Sequence, residues 1–296
     1  MDDIIRLAAF NWLNDQKKIH GDVFPRKLLE EGFSFQSQRV TLIGPQGIWK
    51  PQRMELPLSI TTIFNSPYED SQARDGLLEY KYRKDNPNHY ANTGLREVMR
   101  LKKPVIYFYG LAEGRYYAAF PVFIIHDNPE ALTFTVQVDE INAISSEDKV
   151  EETDSTRWRR SYATTTTKIR LHQRSFRERV LLAYQTQCAF CRLKHGELLD
   201  AAHIISDGDE LGDPVVSNGL SLCKIHHGAY DNNIIGITPE YNLHVREDIL
   251  EEIDGPMLKY GLQSMHGNQL VLPRHKGDLP DKERLEYRYA QFLKVG

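Results

Sequence analysis

Two short pairs of metal-binding side chains constrain this chain more than any other feature. Cys188 and Cys191 are separated by two residues, as are Cys223 and His226, and thirty-two positions divide Cys191 from Cys223. Such a spacing aims two ligand atoms at one point, and a second pair completes the tetrahedron that Zn²⁺ prefers. All three cysteines of the sequence fall in this set. An odd count explains a disulfide framework poorly, and no thioredoxin-like βαβ pattern surrounds the first pair. The pairs therefore predict a structural Zn²⁺ held by Cys188, Cys191, Cys223 and His226, with buried free thiols as the alternative. Four protein ligands close a site, so this metal would support folding and leave the chemistry to other residues.

The clip occupies a small part of 296 residues. At ~100–200 residues per domain, that length predicts two units, each able to bury a core. With 41% hydrophobic and 26% charged residues, and glycine and proline scattered, the chain is neither disordered, collagen-like nor a repeat array. No apolar run approaches the ~20 residues that span a bilayer. The start, MDDIIRLAAF, is acidic where a secretory leader is basic, so a cytoplasmic protein with no membrane partner is expected. A net charge of −4 argues against a uniformly basic coat. Positive charge is instead gathered locally: Arg157 to Arg179 holds eight Lys/Arg against one Glu, directly after the acidic stretch SSEDKVEETD. That shift marks a boundary, dividing the chain into a domain at 1–145, a linker at 146–160 and a second domain at 161–296.

Hydrophobic spacing predicts helix over 1–32, with Ile4, Leu7, Ala8 and Trp12 as its apolar face and Gly32 as its stop. Strands follow at 39–44, 56–64, 77–83 and 104–110, a helix at 91–103, and a hairpin from 115–125 and 131–138. A compact barrel or curved sheet is the natural packing. Beyond the boundary, a basic amphipathic helix runs up to Cys188, apolar strands contain LLDAAHII and NGLSLC, a helix starts at HHGAYDNN, and KERLEYRYAQFL has helical spacing.

His203, Asn218 and His227 stand in order, fifteen and nine residues apart, inside and just after the clipped loop. Over roughly 180–240 this pattern resembles the HNH endonucleases, whose β-hairpin and helix surround one catalytic metal and which include zinc-flanked variants. The resemblance implies that His203 is the general base and that His227 is a ligand of a catalytic Mg²⁺ or another divalent cation. Asn218 would hold the hairpin loop and so orient His203, or lie near the ion. The residue types suit phosphodiester hydrolysis, which needs a base for water and a cation at the phosphate.

One position departs from the pattern. Many HNH enzymes carry a metal-binding Asp directly before the first His, where this chain has Ala202. Asp200 is three residues before His203, and in a regular strand that places the two side chains on opposite faces. Asp231 follows His227 by four residues, so on a helix both share a face. The expected metal shell is His227 with Asp231, and Asp200 as a weaker candidate.

The basic run (Arg157, Arg159, Arg160, Lys168, Arg170 and Arg174) reads as phosphate contacts or as a solvated helix face. Trp158 among these cations would stack on a base or pin the linker. In the first half, an Asn before a helix, a basic turn, a strand with PV and then G-x-Y resemble SRA and related PUA-like readers of modified bases, which flip a base into an aromatic pocket. Trp49, Lys50, Tyr68, Asp75 and Arg83 are candidate contacts there, though aromatic residues of a small barrel are mostly core. The whole resembles Mcr-type, modification-dependent restriction endonucleases. It implies an α+β protein with a β-rich PUA/SRA-like N-terminal domain and a zinc-stapled ββα-metal HNH domain. The partner would be double-stranded DNA, with modified bases among the candidate targets. Because one HNH site cuts one strand, a homodimer follows from the mechanism. Two rivals are a non-catalytic zinc-containing DNA-binding regulator and an HNH nuclease acting on unmodified DNA.

Overall fold

Two compact units divide the chain, Met1–Leu171 and His172–Gly296. The computed structural model describes residues 1–63, 78–138, 173–206, 209 and 211–295. The expected linker at 146–160 lies outside them.

The first unit opens on helix α1 (Asp2–His20), with acidic residues in its first turn and basic ones in its last, complementing the helix dipole. Its buried stripe is Ile5, Ala9 and Leu13 together with Arg6, one position off the expected face: Ile4 and Leu7 are 60% and 57% exposed. The Arg6 guanidinium lies on this inward face. It is buried and donates to the carbonyls of Pro104 at 2.8 Å and Pro57 at 2.7 Å. Nor does the helix run on to 32. It stops at Gly21 (φ +70°), and β1 (Val23–Pro25) precedes a separate α2 (Arg26–Glu31). Gly32 does end that second helix, at φ +60°, where a Cβ would lie 2.0 Å from the Val40 carbonyl oxygen.

After the small hairpin of β2 (Phe33–Phe35) and β3 (Gln38–Val40) come β4 (Ile48–Trp49), β5 (Ser59–Thr62), β6 (Leu78–Lys81), α3 (Tyr90–Arg100), β7 (Val105–Ala112), β8 (Arg115–Asn128) and β9 (Thr133–Val138). Within the stretch that carries the candidates Trp49 and Lys50, Ile48 and Trp49 pair with Ile60 and Ser59. The main sheet runs β4-β5-β7-β8-β9-β6, with β1 joined to β8. Among the described residues only β5 and β7 pair in parallel, and the intervening chain, which includes α3, is long enough for that crossover. α3 packs Leu95 and Val98 on one face of the sheet, while α1 and α2 cover the other. The Tyr80 hydroxyl lies 3.5 Å from the Thr61 carbonyl, although β6 and β5 sit near opposite ends of the strand order. The sheet is therefore curved, one of the two packings expected.

The second unit begins with α4 (173–183). The basic helix was expected to reach Cys188, but Gln185 and Thr186 take positive φ values of 56° and 52° and turn the chain into the cysteine knuckle. β10 (Leu199–His203) and β11 (Gly219–Cys223) form an antiparallel hairpin that leads into α5 (Lys224–Asp231). β12 (Ile235–Ile237) and β13 (Leu243–Val245) form a second hairpin, followed by α6 (Glu247–Glu251), α7 (Pro256–Gly261) and α8 (Lys282–Phe292). One apolar cluster joins Phe176 and Val180 of α4 to both hairpins and to Leu285 of α8. No helix among the described residues is long and apolar enough to cross a membrane.

Candidate active site and metal clip

The hairpin β10–β11 brings the metal-binding pairs together. Leu199 stands opposite Cys223 at one end of the hairpin, and the Cys223 sulfur lies within 4.8 Å of those of Cys188 and Cys191. Ala189 N–H donates to the Ser221 carbonyl at 2.7 Å, stitching the knuckle to β11. Arg192, at φ +64°, returns its N–H to the Cys188 carbonyl at 2.9 Å. Cys223 caps α5, and His226 follows within its first turn. The ligand atoms of Cys188, Cys191, Cys223 and His226 all lie within 4.8 Å of one another, three of the four residues being buried.

The electrostatics fit a cation. Hydrogen bonds from Cys188 and Cys223 raise the Cys191 thiol well above its ordinary range, while those from Cys188 and Cys191 pull Cys223 far below it. Burial lowers the proton affinity of His226, but the neighbouring Cys188 and Cys223 outweigh it and raise its pKa to about 10. The cluster thus gathers negative charge and satisfies it with protons that a metal would displace. His226 Nδ1 faces the Cys188 and Cys223 sulfurs at 3.5 and 3.2 Å, and Nε2 lies 2.8 Å from the Gly261 carbonyl. That bond holds the ring with Nδ1 toward the sulfurs. An S₃N set at this spacing suits tetrahedral Zn²⁺.

A cleft of about 790 Å³ opens beside the same hairpin, lined by Asp200, His203, His227 and Asp231 among others. His203 ends β10, while His227 and Asp231 lie on α5 with Nε2 and Oδ2 3.3 Å apart. The i,i+4 spacing works as expected, since successive turns of the helix face one way. Asp200 requires a correction. Despite its odd spacing from His203 it lines the same cleft. Burial along β10 falls on Leu199 and Ala202, three apart, as a strongly twisted two-stranded ribbon permits. Its carboxylate pairs with Arg177 at 3.3 Å. Ala202, where many HNH enzymes carry Asp, is fully buried, so that position faces the core here.

Asn218 is fully buried. Its Oδ1 accepts from Ile205 N–H at 3.0 Å, and its Nδ2 donates to the Ile205 and Asp213 carbonyls at 3.0 Å each. All of these bonds tie the loop between the two strands to itself. Of the two roles considered, these contacts belong to loop holding.

Among the basic candidates, Arg174 on α4 lines the cleft. Arg157, Arg159, Arg160, Lys168 and Arg170, together with Trp158, Tyr68 and Asp75, lie outside the described residues. Trp49 is turned inward: its Nε1 donates to the Thr41 carbonyl at 3.2 Å, and its ring fills the space a side chain at Gly44 would need. Lys50 Nζ donates to the Met54 carbonyl at 2.9 Å. The backbone N–H of Arg83 donates to Asn92 Oδ1 at 2.9 Å, holding the turn before α3.

Several cleft residues escaped the sequence reading. Phe176 and Arg177 of α4 and Tyr287, Arg288 and Gln291 of α8 all line it. Arg288 donates to the Tyr230 carbonyl at 2.8 Å and to Asn233 Oδ1, clamping the end of α5, with its guanidinium 4.9 Å from the Tyr230 ring. Helical spacing revealed α8, but nothing in it showed where the helix docks.

Residues 188–238 match the family model described as HNH endonuclease. No curated protein matches the chain. Among solved structures, one titled "Modification dependent TagI restriction endonuclease" aligns over 80% of this chain and 81% of its own, with 15% identity and a TM-score of 0.29.

Proposed function

We propose that this chain, whose residues 188–238 match an HNH endonuclease model, is a phosphodiester-hydrolysing nuclease of restriction type that cuts double-stranded DNA and responds to base modification. The observation that carries the catalytic part is the shared cleft, where one imidazole from β10 and an imidazole–carboxylate pair from α5 meet. His203 acts as general base, accepting a proton from water as it attacks phosphorus. His227 and Asp231 would hold Mg²⁺ or another divalent cation, and their mixed nitrogen and oxygen donors, with room left for phosphate oxygens, fit such an ion. When bound, the ion would supply Lewis-acid stabilisation of charge on the phosphate and leaving group. Asn218 keeps the loop after His203 in place, Arg177 restrains Asp200, and Arg174 offers a cation to the strand entering the cleft. The closed Cys₃His site has no part in bond breaking.

A small HNH core has few groups with which to read bases, so recognition falls to the first unit. Its curved sheet is compatible with the PUA/SRA-like reading, and that likeness supports modified DNA as the target class. One cleft cuts one strand, so a homodimer acting on both strands completes the proposal.

Matched plasmids, unmodified and carrying 5-methylcytosine or 5-hydroxymethylcytosine, test it when digested with Mg²⁺ or Mn²⁺ by the wild type and by His203→Ala. Cleavage of a modified plasmid only, lost in the variant, is expected. Equal cleavage of all plasmids replaces modification dependence with action on unmodified DNA. Unchanged cleavage by His203→Ala removes the base assignment, and binding without cleavage by the wild type would favour a non-catalytic regulator.

A further inference from the structure

The imidazole of His203 does not stand alone at the end of its strand. The Phe176 ring lies parallel to it, with 4.0 Å between centroids and 11° between planes. Phe176 is 2% exposed, comes from α4 and precedes the 188–238 match. Its position depends on a missing side chain. Gly219 is the residue paired with His203 across the hairpin. A Cβ there would lie 2.9 and 3.1 Å from Phe176 Cζ and Cε2, and 2.4 Å from Val180 Cγ2. Gly219 is extended, at φ −127° and ψ 144°, so it is needed for space and not for backbone freedom.

We infer that Phe176 is a positioning residue for His203: seated in the gap left by Gly219, it holds the imidazole plane so that one ring nitrogen is presented to the cleft. This rests on the reading of His203 as general base. A side chain able to rotate about χ1 and χ2 spends much of its time misdirected, and a flat wall of matching shape removes most of that freedom. A proton acceptor misplaced by a fraction of an ångström loses rate at the chemical step, while DNA binding through other contacts is untouched.

Phe176→Leu, which keeps a buried apolar side chain and removes the flat face, is the test, with Val180→Ala as a control. Val180 is equally buried and also touches the Gly219 position. On the DNA that the wild type cuts, Phe176→Leu should lower kcat on the order of tenfold to a hundredfold with KM unchanged. In ¹³C-edited histidine spectra of the full chain, the His203 ring protons should move downfield as the Phe176 ring current disappears. Val180→Ala should show neither change. If Phe176→Leu keeps wild-type kcat, or leaves the His203 protons in place, or if Val180→Ala loses as much rate at a matched loss of stability, the inference fails. His203→Ala separates this from failure of the base reading. If that variant still cuts, or no DNA is cut at all, the base assignment falls, and the spectra alone decide whether Phe176 orients the ring.

Discussion

Asn218 and Gly219 carry different burdens although they are adjacent. Asn218 is an internal hydrogen-bond hub whose amide meets two carbonyls and one N–H of the backbone. Its removal in Asn218→Ala leaves these groups unpaired, at roughly 1–3 kcal/mol for each one that water cannot reach. Asn218→Asp should be worse at neutral pH, because a carboxylate then faces two carbonyl oxygens where an amide had donated. Denaturant unfolding should therefore rank wild type above Ala and Ala above Asp, and equal midpoints for the two variants would contradict the assigned bonds. Gly219→Ala should cost about 1–3 kcal/mol through overpacking against Phe176 and Val180, read by the same measurement. An Asn-Gly pair in sequence signals a tight turn. Here the Gly instead makes room for a ring from another helix, which the dipeptide has no means of showing.

At the scale of elements, the clip converts a short hairpin and a two-turn helix into a fixed frame. Such pieces are marginal alone, and structural Zn²⁺ can contribute about 10–16 kcal/mol of apparent folding free energy. Elemental analysis should find one Zn²⁺ per chain. Cys188→Ser or a strong chelator should unfold the second unit, seen as lost near-ultraviolet circular dichroism and rapid proteolysis after 172. The pH dependence has a definite sign. The ion-free cluster holds protons, with His226 raised to about 10. Binding must therefore release them, and Zn²⁺ affinity rises with pH and falls on acidification. Competition with a zinc indicator across pH checks this, and a flat profile would speak against these ligands. α8 contributes through Arg288, which clamps the end of the helix bearing His227 and Asp231. Arg288→Ala should lower kcat more than it lowers the zinc content.

At the scale of the whole molecule, the two units make the proposed separation of cutting from reading testable. A chain beginning at residue 172 should keep its metal and its hydrolytic activity, yet cut modified and unmodified plasmids alike. Retained discrimination would place recognition in the second unit. The full chain should nick supercoiled DNA before linearising it, and linearisation should rise more steeply with enzyme concentration than nicking does. DNA affinity should fall steeply with salt, because phosphate contacts by Arg and Lys release counterions.

What could be read from the sequence was whatever is written in local spacing. Cys188-x2-Cys191 and Cys223-x2-His226 announced a metal clip, four residues put Asp231 with His227, and the apolar run around His203 announced a strand. These depend on geometry within a few bonds, which any chain with those residues would share. The packing of distant surfaces was decided only in three dimensions. On α1 the inward face took Ile5, Ala9 and Leu13 with Arg6 and left Ile4 and Leu7 exposed. Strand twist brought Asp200 into the cleft against its parity, and α4 and α8, remote in sequence, delivered Phe176 to the β10–β11 hairpin and Arg288 to the end of α5. A side chain's partner across a core is set by the sum of many weak contacts, and no single stretch of sequence contains that sum.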